Sequence, residues 1–229
     1  VVMVAGPIDA YVAALRRTLR GPRAAKADLV TEARDSLVDA AARYEEDGLD
    51  RAAAERQAVD EFGAVHELAP DYQRELALAQ ARRTALIVAG AVAAQNIISE
   101  LAWRGASTGW SWEPDRFYAV LANTVDYASY AVFAGALLAA LACGIGTRFV
   151  TVGRQFARVT GIAALATVAF FAVGGTLLSA LSPTWDAAGA ATGSPLQLVS
   201  NSLALTLPGC MIFSGLRSIR AATTAPAST

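Results

Sequence analysis

Two sets of polar residues in this chain are spaced so that they could do chemistry. The first is a run of carboxylates: Asp28, Glu32, Asp35, Asp39 and Glu46. At 100° per residue they fall within about 60° of a helix circumference, which makes a stripe of one sign. Like charges four residues apart repel by roughly a few tenths of a kcal/mol per pair, so the stripe gives an isolated helix nothing. It is either a solvated face or a docking surface for a basic partner. The second set lies in apolar sequence. Asn96 and Glu100 are four apart, Asn123 and Asp126 are three apart, and Asn201 follows later. An ionised carboxylate within a bilayer costs at least about a few kcal/mol unless it is paired, wetted or protonated. This set is either hydrogen-bond glue between helices around a protonated Asp126, or a small polar cavity able to hold a ligand or a proton.

Other chemistries find no support in the residues. His66 is the single histidine, so triads and multi-histidine zinc sites are unavailable. Gly105-Ala106-Ser107-Thr108-Gly109 matches the G-x-S-x-G pattern, but no strand precedes it and no histidine accompanies it. Gly144-Ile145-Gly146 lacks the lysine and third glycine of a phosphate loop and reads as a turn. Cys143 and Cys210 sit in apolar runs and read as reduced packing residues rather than as a disulfide framework or metal site. The expectation is a protein with no metal, no cofactor and no catalytic activity.

The elements that must position these residues divide sharply by composition. Residues 1–83 hold 12 basic and 15 acidic side chains, whereas 84–229 hold only 7 and 5. A charged front and an apolar back imply two regions in two solvents. The acidic excess of the front has the wrong sign for gripping nucleic acid. Four apolar stretches, Thr84–Trp103, Phe117–Cys143, Val159–Leu181 and Leu196–Leu216, each supply the ~20 residues that a helix needs to cross a bilayer. Arg74, Arg82, Arg83, Arg148, Arg154, Arg158, Arg217 and Arg220 flank one side, and Arg104 and Arg116 the other. The positive-inside rule then puts both termini in the cytoplasm. Trp103, Trp110, Trp112 and Trp185 lie in or beside the outer loops, as an interfacial aromatic belt would. Ala131, Gly135, Ala139 and Cys143 make a small-residue ridge on the second span, which serves packing within the chain or a homodimer seam. The stretch from Ser218 to Thr229 is expected to be a disordered tail. One lysine, Lys26, among 19 basic residues points to a GC-rich bacterial genome, and so to a bacterial cytoplasmic membrane.

Residues 1–83 read as four helices. Ile8, Tyr11, Val12, Leu15 and Leu19 share one face, and Gly21-Pro22 breaks the helix. A second helix spans about Ala24–Asp47, with Leu29, Val30, Ala33, Leu37, Ala40, Ala41 and Tyr44 as its apolar face and Gly48 as its stop. Asp50 caps a third, about Arg51–Phe62, closed by Gly63. The fourth carries Val65, Leu68, Ala69, Tyr72, Leu76 and Ala79, and its continuation into the first span is left open. Pro70 either occupies its first turn or kinks it.

Residues 8–79 resemble a known family. The features are Tyr11 and Leu15 on a short amphipathic helix, then Leu29-Val30-x-Glu32-x-x-Asp35-x-Leu37-x-Asp39, Gly48-Leu49-Asp50, Ala54 with Ala58-Val59-x-x-Phe62-Gly63, and Leu68-Ala69. This order is similar to the HAAS-type helical signalling domain, also described as the permease-prefix domain. After Phe62-Gly63 the chain departs from the family's short turn with Ala64-Val65-His66. The resemblance implies signalling or adaptor work ahead of membrane spans, beside a PadR-type winged-helix regulator or a transporter permease, with no catalytic residues. The expected architecture is all-α: a small cytoplasmic four-helix domain over residues 1–83, then a four-helix transmembrane region over 84–217. The expected partners are the lipid bilayer and a cytoplasmic protein. The alternative is a transporter accessory subunit or small transporter with the polar cluster on its path.

Overall fold

A computed structural model describes residues 6–106, 115–144, 154–182 and 195–223, with side chains for 6–101, 115–144, 155–182 and 202–222. The described residues form helices with short connections between them and no strand. The helices are α1 (Pro7–Thr18), α2 (Arg23–Glu46), α3 (Arg51–Phe62), α4 (Val65–Ala106), α5 (Arg116–Gly144), α6 (Arg154–Leu181) and α7 (Pro195–Thr223).

The stops between the first helices follow from local chemistry. Gly48 adopts φ 99° after α2, a conformation that favours glycine. The Leu49 N–H then bonds the Tyr44 carbonyl and the Gly48 N–H the Glu45 carbonyl, which is the double closure of a Schellman end. The Asp50 side chain accepts from the Ala53 N–H at 3.0 Å and caps α3. Gly63 closes α3, also at φ 99°. Its carbonyl accepts from the Tyr11 hydroxyl at 2.9 Å, and the Tyr11 and Phe62 rings meet edge to face at 5.8 Å. Burial lifts the Tyr11 hydroxyl above its ordinary pKa, with Tyr72 adding to the effect. Tyr44 of α2 also hydrogen-bonds Glu61 of α3. That bond is the main cause that lifts the Tyr44 pKa and lowers that of Glu61.

The N-terminal core gathers Tyr11, Leu15, Leu19, Leu29, Ala33 and Leu37 with Ala54 and Ala58 of α3. It is completed by Ala69 and Leu76 of α4, with Val65 and Tyr72 packed on its edge. This corrects the expectation of a four-helix domain followed by four spans, and decides the continuation of the fourth helix that the sequence left open. Only α1–α3 are separate helices. The fourth is the base of a continuous 42-residue helix, about 63 Å long at 1.5 Å per residue, whose far part is the first apolar span. The physical reason is the sequence 71–83, which has neither glycine nor a second proline and is rich in Ala, Leu, Glu, Gln and Arg, so nothing ends the helix. Pro70 is inside the helix without interrupting it.

Among the described residues four helices are long and apolar enough to cross a membrane: α4, α5, α6 and α7. Between 17% and 33% of their most apolar windows is buried, so most of that surface faces outward. Leu101, Phe117, Leu138, Val173 and Leu205 are among its exposed side chains. Such a surface suits lipid, not water. In the bundle α4 is central and packs on α5, α6 and α7, while α6 and α7 pack closely on each other. That last contact needs glycine: a Cβ on Gly161 would stand 2.7 Å from the Gly215 carbonyl oxygen. The stretch from Ser218, expected to be a disordered tail, is helical as far as Thr223. Ser218 is fully buried and donates to the Ala157 carbonyl at 2.7 Å.

Candidate functional site

The acidic stripe stands on α2. Asp28, Glu32, Asp35, Asp39 and Glu46 are all exposed, on the side of the helix away from buried Leu29, Val30, Ala33, Leu37 and Ala41. None of the five takes part in an ion pair among the described residues. Arg43 lies one turn from Asp39 but bonds its backbone carbonyl, at 3.4 Å. Among the described residues the one ion pair that α2 makes runs elsewhere, from Arg34 to Asp9 of α1 at 2.7 Å. The stripe thus lies on a face the core does not use.

The turn that leads into α2 is tied to α4 by a polar joint that sequence reasoning missed. The Gln73 amide of α4 meets the turn between α1 and α2. It accepts from the Arg20 N–H at 2.9 Å and donates to the Arg20 carbonyl at 2.6 Å. Lys26 donates to the Leu19 carbonyl at 2.7 Å in the same turn. Burial, then Arg16 and Arg20, lower the Lys26 pKa, as expected for a desolvated cation among like charges. Gly21 allows the approach, since a Cβ there would lie 2.9 Å from the Leu76 Cβ.

Further along α4 a second buried network joins it to α7. The hydroxyls of Thr84 and Ser214 are 2.9 Å apart, and Thr84 also donates to the Ser214 carbonyl at 3.2 Å. Gln80 reaches the Ser214 hydroxyl at 3.4 Å. All three side chains are at most 3% exposed. A signal for both joints was present in the sequence. Gln73, Gln80 and Thr84 are spaced seven and four apart, and Ser214 and Ser218 four apart, so each set lies along one helix face.

The intramembrane set is brought together only in part. Asn96 of α4 donates to the Ser129 hydroxyl of α5 at 3.1 Å, and Ser129 donates to the Asp126 carbonyl at 2.8 Å. The inter-helix bond therefore runs through Ser129, a residue the sequence did not single out. Asp126 contributes its backbone, and its side chain is exposed, as are Asn123, Tyr127 and Tyr130. Glu100 is exposed near the end of the described α4 side chains. Asn201 belongs to α7, with its side chain outside the described residues, as are those of the four tryptophans. The G-x-S-x-G stretch falls largely, and Gly144-Ile145-Gly146 beyond its first glycine, outside the described residues too. On the small-residue ridge Ala131 and Gly135 are exposed, whereas Cys143 is buried against Ala77, Ala81 and Ala157. Among the described residues no group of three or more His, Cys, Asp or Glu side chains is placed to hold a metal ion.

No family model, curated protein or solved structure matches the chain.

Proposed function

We propose that this chain is a membrane-anchored signalling or adaptor protein of bacteria, in which the helical unit of α1–α3 and the base of α4 lies in the cytoplasm. It works by docking rather than catalysis, and its partner is a basic protein surface such as that of a PadR-type winged-helix regulator. The observation that carries this reading is the stripe Asp28, Glu32, Asp35, Asp39 and Glu46, exposed and without ion pairs among the described residues. A basic surface would relieve the repulsion along it and be steered by it, mainly through the association rate. The unbroken α4 supports a signalling role, because a rotation or shift of the first span moves the Gln73 joint, and with it α2.

The test is a titration of the full chain in detergent against the regulator with which it co-purifies. Replacing Glu32, Asp35 and Asp39 together with Gln or Asn should leave the fold intact, slow association at least about tenfold at low salt, and flatten the salt dependence. Unchanged binding at both low and high salt would reduce the stripe to a solvated face. A second reading, an accessory subunit of a transporter, is favoured by the exposed polar side chains Asn123, Asp126, Tyr127 and Tyr130 on α5, which suit a membrane partner better than lipid. Co-purification of an ATP-binding subunit instead of a winged-helix protein would select it.

A further inference from the structure

A cleft of about 660 Å³ lies where the first turn of α2 meets α4 and α7. Its lining is Pro22, Arg23, Ala24 and Ala25 from α2 and the turn before it, Ala79 and Arg83 from α4, and Arg217 from α7. Three arginines from three helices thus line the cleft with small side chains between them, and among the described residues no acidic one lines it. None of the three makes an ion pair among the described residues. Arg23, Arg83 and Arg217 bring three positive charges to one cleft, and the donor geometry of a guanidinium suits an oxyanion of phosphate type. A second cleft, between α1 and α2, makes the contrast. Arg16, Arg17, Lys26 and Arg34 share its lining with Asp9, which pairs with Arg34.

The surroundings say which phosphate. Arg83 directly precedes the apolar run of α4, and Leu86, one turn on, is 49% exposed. The Arg217 guanidinium lies over the Phe213 ring at 5.3 Å from its centroid, and that ring is 63% exposed. A cationic cleft thus opens directly beside bare apolar walls on two helices. A soluble phosphate compound would use the cleft and leave the walls in contact with the membrane or solvent. A phospholipid uses both, with its phosphate among the arginines and its acyl chains along α4 and α7.

We infer that the cleft between α2, α4 and α7 binds the phosphate of an anionic phospholipid headgroup through Arg23, Arg83 and Arg217. The inference rests on the reading that α4–α7 span a membrane. Occupancy links the start of α2 in the helical unit to two bundle helices, so lipid composition would bear on how firmly that unit is seated.

The experiment uses the full chain purified in a neutral detergent, with its thermal midpoint followed as lipid is added. Phosphatidylglycerol should stabilise it at concentrations at least about tenfold lower than phosphatidylcholine does. The triple variant Arg23→Gln, Arg83→Gln, Arg217→Gln should lose that preference, by a factor on the order of tenfold to a hundredfold in the lipid concentration required. Inorganic phosphate at millimolar concentration should stabilise the parent far less than phosphatidylglycerol. Equal effects of the two lipids on the parent, or an undiminished preference in the triple variant, would overturn the site. Stabilisation by inorganic phosphate equal to that by the lipid would overturn the lipid assignment. If the triple variant does not fold, the Arg83→Lys, Arg217→Lys variant takes its place. It should keep the preference in weakened form, and a preference equal to the parent's would count against guanidinium recognition. Carbonate extraction of membranes tests the underlying reading separately. Release of the chain into the soluble fraction would show that the bundle is not inserted, whatever the lipid titration gives.

Discussion

A single amide, that of Gln73, satisfies both the N–H and the C=O of Arg20. Gln73→Ala leaves both groups without that partner in a half-buried turn, and the expected loss is about 1–3 kcal/mol. Gln73→Glu keeps the acceptor but sets a carboxylate oxygen against the Arg20 carbonyl at a buried position, so its loss should be at least as large. Thermal melts of the full chain check the order, and a Gln73→Ala melt equal to the parent's would show that the joint adds nothing. In the bundle, the bond between α4 and α5 runs from Asn96 to Ser129, while the Asp126 side chain is exposed. Ser129→Ala should therefore destabilise by roughly 0.6–1.7 kcal/mol. Asp126→Asn and Asp126→Leu should not weaken the bundle in detergent. A larger loss from Asp126→Leu than from Ser129→Ala would place the inter-helix bond on the carboxylate after all.

At the scale of elements the continuity of α4 matters most. Leu76 is fully buried in the N-terminal core, twelve residues into a helix that continues far beyond it. A fragment ending at Arg82 retains Ala69, Tyr72, Gln73 and Leu76. A fragment ending at Arg74 retains Gln73 but removes Leu76, a loss comparable to a large-to-small core truncation of about 2–5 kcal/mol. A unit of this size has little stability in reserve. The fragment 6–82 should melt cooperatively with a helical circular-dichroism spectrum, and 6–74 should melt well below it or not fold. Equal melts would show that Leu76 is dispensable to the core and that α1–α3 fold without the base of α4.

For the whole molecule the open question is which side of the membrane each end faces, and the arginine asymmetry answers it in one direction. In a background with Cys143→Ala and Cys210→Ala, a cysteine at Ser107 or Thr192 should react with an impermeant thiol reagent in intact cells, and one at Thr151 should not. Both native thiols must be removed because Cys210 is exposed on α7. Labelling at position 151 with silence at 107 would invert the orientation. It would also place the acidic stripe of α2 and the arginine cleft on the outer side, away from any regulator of transcription.

Much of this architecture was legible in the sequence because it depends on local properties. The apolar runs, the stops at Gly48 and Gly63 and the Asp50 cap each need only a few neighbouring residues to act. The acidic stripe was legible for the same reason, since five carboxylates at helical spacing share a face wherever the helix goes. The four-helix domain was misjudged because a helix ends only where something ends it, and nothing between Asp71 and Arg83 does. The polar joints left only the shared face of Gln73, Gln80 and Thr84 as a trace, since Gln73, Thr84 and Ser129 are ordinary helix residues until partners 53, 130 and 33 positions away are brought to them. The arginine cleft belongs with these. Arg23, Arg83 and Arg217 are far apart in the chain, and only the packing of α2 and α7 against one long helix turns three scattered charges into one site.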